Sequence, residues 1–208
     1  RAIAVACPTG GNIHSGFNDA YNEVALCIQG RLDEDDLKDL PLFITGHSLG
    51  GALATIAAKK LTHPNAGIAA CYTFGSPRVG DQHWLASFKT PIYRLVNAAD
   101  CVTMLPPGDE IISTLGWLVK GIPYVGRSLR ALLLNKISGY MHVGDMRYMT
   151  NCATPADYRN VELLYSVSLF RRVKGFMIKK APWHKVLTDH SIKTYRKKLL
   201  VIASRRNA

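Results

Sequence analysis

The sequence lacks a CxxC pair and any cysteine spacing typical of a metal site. An odd number of cysteines cannot all pair within one chain, so we expect mostly reduced, buried thiols. Reduced thiols favour a reducing interior over an oxidising compartment, although the localisation itself stays open. The cysteines are Cys7, Cys27, Cys71, Cys101 and Cys152.

Internal repeats and low-complexity tracts are also lacking, which argues against linkers and repeat architectures. The chain has 208 residues, of which 48% are hydrophobic and 20% charged. A chain of this length buries roughly 70% of the surface that its unfolded form exposes. We therefore expect residues 1–208 to form one folded domain.

Acidic residues are scarce in the second half of the chain. Residues 1–110 hold 8 Lys and Arg against 11 Asp and Glu, whereas residues 111–208 hold 18 against 4. A strongly basic half could face an anionic membrane or lipid-droplet surface, or could be a solvated face without a dedicated partner. No nucleic acid is expected, because the basic residues are not interleaved with stacking aromatics or set in a reading motif.

The longest uncharged run is "LPLFITGHSLGGALATIAA" at residues 40–58. Residues that break a helix lie inside it, which argues against a membrane span. Pro41 and the glycines at 46, 50 and 51 punctuate it. "LFIT" is typical of a parallel strand covered on both faces, and "LATIAAKKL" of a helix. The run therefore predicts a strand, a sharp turn and a helix.

Elsewhere the pattern alternates strands with helices. "NDAYNEVALCIQGRL" predicts a helix capped at Asn18 or Asp19, and "AACYTFG", "IYRLVNA" and "HVGDMRYM" predict strands. This alternation predicts an α/β fold with a mainly parallel central sheet flanked by helices. Residues 111–138 mix apolar residues with single basic ones, so they could cover a site or lie on lipid.

The turn inside the uncharged run matches G-x-S-x-G through Gly46, His47, Ser48, Leu49 and Gly50. In this nucleophile elbow a serine occupies a strained turn between strand and helix, where side chains two residues away on either side would collide with backbone. The following helix directs its positive end at the serine, and the Leu49 N–H can donate to an oxyanion. Ser48 is therefore the candidate nucleophile.

A serine nucleophile needs a histidine base, which in this architecture comes last in the chain order Ser, Asp or Glu, His. That order excludes His14 and His47, and His63 follows the elbow helix too closely. His83 leaves no room for an acid before it, and His142 begins a strand-like run. His184 and His190 remain, and His190 stands at a loop entering a helix near the end of the chain.

The acid that orients the base is expected just beyond a strand, at the edge where α/β proteins place their catalytic groups. Asp100 in "YRLVNAADCV" meets this condition. Asp81 and Asp109 lie in turn-like stretches, and Asp189 is a direct neighbour of His190 in sequence. A solvated loop aspartate at position 100 stays the alternative.

Six stretches resemble, in order, the class 3 lipases, a family of fungal and bacterial triacylglycerol lipases with the α/β-hydrolase fold. The resemblance covers roughly residues 12–108 and 139–199. It implies Ser48, Asp100 and His190 as the catalytic triad, with Leu49 supplying one oxyanion N–H. Hydrolysis by such a triad needs no metal or organic cofactor. The stretches are "IHSGFNDAY", "ITGHSLGGALA", "TFGSPRVGD", "LVNAADCVTMLPP", "YMHVG" and "DHSIKTYRKKL".

The sequence departs from the family at three places. The family's second oxyanion donor and lid precede the "HxGF" segment, which here begins at His14. We therefore expect a chain truncated at its N-terminus relative to the family. Residues 109–138 are an addition that could replace the lid, and residues 160–187 add a basic, apolar stretch suited to a lipid surface.

These features lead us to expect a serine hydrolase that cleaves carboxylic esters of lipids through an acyl-enzyme. Losing one oxyanion donor costs roughly a hundredfold to a thousandfold in turnover. The alternatives are thus a weakly active or inactive module that binds anionic lipid surfaces, or a phospholipase. The oligomeric state is not determined by the sequence.

Overall fold

The computed structural model describes residues 4–6, 10–63, 65, 67–86, 88–106, 139–152, 154–168 and 188–207. The proposed cover at 109–138, most of the basic stretch at 160–187, His184, Asp109 and Cys7 lie outside these residues. In the described part of the chain, no helix is both long and apolar enough to cross a bilayer.

The predicted α/β architecture is confirmed by a five-stranded sheet with strand order β3-β4-β5-β6-β7. Its first four strands run parallel and β7 is antiparallel to β6. The strands are β1 (Ala4–Ala6), β2 (Asn12–His14), β3 (Leu42–His47), β4 (Ile68–Phe74), β5 (Ile92–Asn97), β6 (Asp145–Met149) and β7 (Leu163–Leu164). The helices are α1 (Ser15–Leu32), α2 (Leu49–Lys60), α3 (Gln82–Leu85) and α4 (Ile192–Arg206).

Helices cover both faces of the sheet. On one face, α1 and α2 enclose a cluster that includes Ile13, Ile56 and Trp84. On the other, α4 packs through Tyr195 and Ile202 against Leu95 and Met149. Because parallel strands end at the same edge of a sheet, the loops that follow β3, β4 and β5 meet there.

The uncharged run at residues 40–58 divides into β3 and α2, as predicted, but the two are not equally buried. Most of α2 is enclosed, with Ala52 and Ile56 fully buried. The expected double covering of β3 is wrong within the described residues, since Phe43 is 58% exposed. In the part of the chain that the structure describes, β3 pairs with β4 alone and so forms an edge of this sheet, which explains the exposure.

The predicted cap of α1 at Asn18 or Asp19 is also wrong. The helix begins at Ser15 with His14 as its N-cap, and no side chain caps it. The His14 N–H donates to the Val79 carbonyl at 2.9 Å, so pairing of β2 fixes where the chain turns into the helix. Asn18 instead accepts from the Lys60 ammonium at 2.6 Å.

Cysteine burial matches the expectation in part. Cys71 is fully buried, and burial raises its pKa to about 12. Cys27 is exposed on α1, which the sequence argument did not anticipate.

Asp81 joins β2 to α3. Its carboxylate accepts from the backbone and side-chain N–H groups of Asn12, each at 2.8 Å, and from the Trp84 N–H at 2.8 Å as the N-cap of α3. Partial burial raises the pKa of Asp81, but these hydrogen bonds outweigh burial and hold the pKa below its ordinary value.

We expect Asp81→Ala to lower the free energy of unfolding at pH 7, by about 1 kcal/mol for the lost cap alone. Because the folded-state pKa is depressed, the contribution of Asp81 is present above the unfolded pKa and is lost as pH falls through the folded pKa. Urea unfolding at pH 7 and pH 3 checks this, with the exposed Asp19→Ala as control. A destabilisation that does not shrink at pH 3 would contradict the account.

Candidate active site

Ser48 occupies the turn between β3 and α2 in a conformation that non-glycine residues rarely adopt, with φ 56° and ψ −125°. The turn is held because the Ser48 N–H donates to the Phe74 carbonyl at 2.9 Å. A Cβ added at Gly46 would lie 2.0 Å from the Gly50 carbonyl oxygen, so only glycine fits at position 46.

The steric requirement expected at Gly50 is wrong. Among the described residues, a Cβ there would meet no atom within 4 Å outside the helix's own backbone, whereas one at Gly51 would lie 2.7 Å from the Ser76 Cβ. The crowded helix position is therefore one residue further along the chain.

Ser48 is the N-cap of α2, but its hydroxyl makes no capping hydrogen bond. It lies 2.8 Å from Nε2 of His190 instead. Leu49 is the first residue of α2, so its N–H has no acceptor within the helix. The serine hydroxyl and a first-turn amide thus lie side by side at the carboxyl edge of the sheet.

The other ring nitrogen of His190 faces Asp100. Nδ1 lies 3.0 Å from Oδ1 and 3.1 Å from Oδ2 of that carboxylate. Since a carboxylate only accepts, Nδ1 carries the proton and Nε2 accepts from the Ser48 hydroxyl. The three residues that the family resemblance implied as a triad therefore form one hydrogen-bonded line in the structure.

Asp100 has no exposed surface. Besides His190, its carboxylate accepts from the Val102 N–H at 3.1 Å and from the Tyr195 hydroxyl at 2.7 Å. Tyr195 in turn accepts from the Asn97 N–H at 3.0 Å. Asn97 also donates to the Asp189 carbonyl at 2.8 Å, which ties the turn before His190 to the end of β5.

Gly75, in the "TFGSPRVGD" stretch, touches this site although the sequence argument gave it no role. It has φ +58°, and a Cβ added there would lie 2.6 Å from Asp100 Oδ2 and 3.1 Å from His190 Nδ1. Tyr195 was missed as well, because nothing in "IKTYRKKL" marks a buried phenol. Gly75 could have been identified from the sequence, because it directly follows a predicted strand at the carboxyl edge of the sheet.

The rejected candidates have other partners. Asp81 caps α3, and Asp189 accepts from the Ala99 N–H at 3.3 Å. The Nε2 atom of His63 donates to the Leu40 carbonyl at 2.6 Å, and that of His142 to the Thr103 carbonyl at 2.6 Å. In the described part of the chain, no group of three His, Cys, Asp or Glu side chains has an arrangement that could hold a metal ion.

The profile of the family described as "Lipase (class 3)" matches residues 2–110, just over half of the chain. The chain is 36% identical over 126 residues to a lipase of Rhizomucor miehei, a match covering 56% of this chain and 33% of that protein. It is 37% identical over 99 residues to phospholipase A(1) DAD1, chloroplastic, of Arabidopsis thaliana, covering 45% of this chain and 21% of that protein. The chain belongs to the class 3 lipase family.

The solved structure of Rhizomucor miehei triacylglyceride lipase is similar to this chain, with a TM-score of 0.58 and 26% identity. The superposition covers 91% of this chain and 62% of that one. The fold is the α/β-hydrolase fold, with a mainly parallel sheet flanked by helices. The chain spans about a third or less of the length of the two relatives named above.

We expect Gly75→Ala to disrupt the contact between Asp100 and His190, because the new methyl group overlaps the carboxylate. The rate of Ser48 labelling by a fluorophosphonate probe should fall by about a hundredfold, as for an ångström-scale displacement of reacting groups. Gly67→Ala is the matched control, since Gly67 has φ +65° but open space around its Cβ position. Equal labelling rates for the two variants would contradict this assignment.

Proposed function

We propose that this chain carries the catalytic centre of a serine hydrolase that cleaves carboxylic esters of lipids, with Ser48, His190 and Asp100 as its triad. The observation that carries the proposal is the 2.8 Å contact between Ser48 Oγ and His190 Nε2 in a strained turn. Strain of about 1–3 kcal/mol persists at such a position only where the surroundings enforce it. Membership of the class 3 lipase family supports the substrate class.

In the proposed reaction, His190 Nε2 takes the hydroxyl proton as Ser48 Oγ attacks the ester carbonyl. The carbonyl π electrons move to oxygen, and the Leu49 N–H donates to the oxyanion. Collapse of the intermediate expels the alcohol, which takes the proton from the imidazolium and leaves an acyl-Ser48. Water then attacks this ester by the same route and releases the carboxylic acid.

Asp100 has a positioning and electrostatic role in this scheme. Its buried carboxylate stabilises the imidazolium formed in each half-reaction and holds His190 with Nε2 towards Ser48. The hydrogen bonds from Val102 and Tyr195 hold the carboxylate in place. We also propose that residues 1–208 act as one domain, in which residues 109–138 cover the active site.

We expect Ser48→Ala to abolish covalent labelling by a fluorophosphonate, because the probe reacts only with an activated serine. Ser204→Ala, which changes an exposed serine on α4, is the control and should label like the wild type. In-gel fluorescence with circular dichroism as a folding check makes the measurement. Labelling that persists in a folded Ser48→Ala chain would rule out Ser48 as the nucleophile.

Among lipid esters, we propose acylglycerols as the main class and phospholipids as the second candidate. The relative named as a phospholipase A(1) and the basic second half of the chain favour the second. A weakly active module is a further alternative, because Leu49 is the one oxyanion donor assigned among the described residues.

A lipid surface would supply such substrates, and α4 carries a face suited to it. Lys193, Arg196, Lys197 and Leu200 follow one another at helical spacing and are all exposed. Residues 190–208 contain no acidic residue, and within the described ranges none of the three cations has an ion-pair partner. We propose that this face contacts anionic head groups, beginning three residues after His190.

Replacing Lys193 and Lys197 by Gln should weaken binding to anionic vesicles. At about 1 kcal/mol for each basic residue near the surface, the loss is roughly 30-fold. Sedimentation with phosphatidylserine vesicles at rising salt measures it, and the double variant Lys89→Gln, Arg159→Gln, which removes the same charge elsewhere on the surface, is the control. Equal loss in both variants would contradict a contact through α4.

A further inference from the structure

His47, the residue before the nucleophile, contacts the segment that carries the base. Its Nε2 atom lies 2.7 Å from the backbone carbonyl oxygen of His190. Because a carbonyl only accepts, Nε2 of His47 carries a proton and donates. The two imidazole rings also face each other, with centroids 4.7 Å apart and planes inclined by 34°.

The same imidazole lies against the partner of Asp100. The His47 ring meets the Tyr195 ring edge-on, with centroids 6.0 Å apart, and Tyr195 donates to Asp100 at 2.7 Å. His47 is therefore in contact both with the base and with the residue that holds the acid. It is itself held rigidly, since β3 pairs with β4 up to His47.

Two strands of the sheet anchor the segment just before α4. From the end of β5, the Asn97 side chain donates to the Asp189 carbonyl at 2.8 Å and the Ala99 N–H donates to the Asp189 carboxylate at 3.3 Å. From the end of β3, His47 donates to the next carbonyl along, that of His190. The turn is thus held at two consecutive carbonyls by two different strands.

We infer that His47 is a positioning residue: its Nε2–H fixes the His190 carbonyl and thereby sets the distance from the His190 ring to Ser48. The inference rests on the proposed function, because it assigns His47 a part in presenting the base. His47 is the last residue of β3 and Ser48 follows it directly, so the strand that leads to the nucleophile also holds the base against it. We therefore expect a displacement of the end of β3 to move the His190 base together with Ser48.

The test separates the effect of the His47 N–H donor from the effect of its aromatic ring. His47→Phe keeps an aromatic ring against His190 but removes the N–H, whereas His47→Gln supplies an N–H at a similar distance from the backbone without the ring. His63→Phe is the matched control, since His63 makes the same kind of bond to a backbone carbonyl, that of Leu40, in another part of the core.

The rate constant of fluorophosphonate labelling is measured for each chain, together with kcat and KM for a soluble ester. We expect His47→Phe to label about tenfold or more slowly, with kcat reduced and KM unchanged. His47→Gln should recover most of the rate, and His63→Phe should lose stability but not labelling rate. If His47→Phe does not fold, His47→Leu takes its place in the comparison.

The other outcomes are decisive. A wild-type rate in folded His47→Phe would overturn the inference and leave the proposed function intact. A His47→Gln chain as slow as His47→Phe would overturn it too, because the N–H would not be the cause. Absence of labelling in the folded wild-type chain would overturn the proposed function, and the inference with it.

Discussion

The burial of the Asp100 carboxylate is the constraint on which the site depends. A charged group without exposed surface costs several kcal/mol unless its oxygens are fully hydrogen-bonded. Its donors come from separate parts of the chain: the loop after β5 supplies Val102, α4 supplies Tyr195, and the turn before α4 supplies His190. Satisfying the carboxylate therefore requires α4 to be docked, and docking of α4 brings His190 to Ser48.

Local strain is concentrated on the same edge of the sheet. Ser48 and Ala98 are the non-glycine residues with positive φ in the described part of the chain, at 56° and 42°. Backbone hydrogen bonds to neighbouring strands hold both, from Ser48 to Phe74 and from Ala98 to Met149. The buried face of α2 and the packing of α4 against Leu95 of β5 offset this strain. The serine is thereby held towards His190 before any substrate arrives.

Much of the fold follows from the sequence because its elements have strong local signals. The uncharged run with central glycines predicts β3, the elbow and α2, and the alternation of strands and helices predicts the parallel sheet. The errors have tertiary causes: pairing of β2, and not a capping side chain, starts α1, and the edge position of β3 exposes Phe43. Gly50 fails as a steric requirement because, among the described residues, no atom comes close to the position of its added Cβ.

The candidate site could be predicted only as a set of residues. Chain order and the family resemblance selected Ser48, Asp100 and His190, which lie together in the structure, while their catalytic roles stay predictions. The contacts around them could not be predicted: Gly75 and Tyr195 were given no role, and His47 was predicted only as part of the elbow. The groups that these three residues contact lie far away in the chain.

The central claim is that Ser48 forms an acyl-enzyme. It is tested most directly by acid-quenching the chain milliseconds after mixing with a p-nitrophenyl ester, followed by peptide mass spectrometry. The account predicts one acyl group per chain, on the peptide that contains Ser48. An acyl group on another residue, or ester hydrolysis without any acyl adduct, would contradict it.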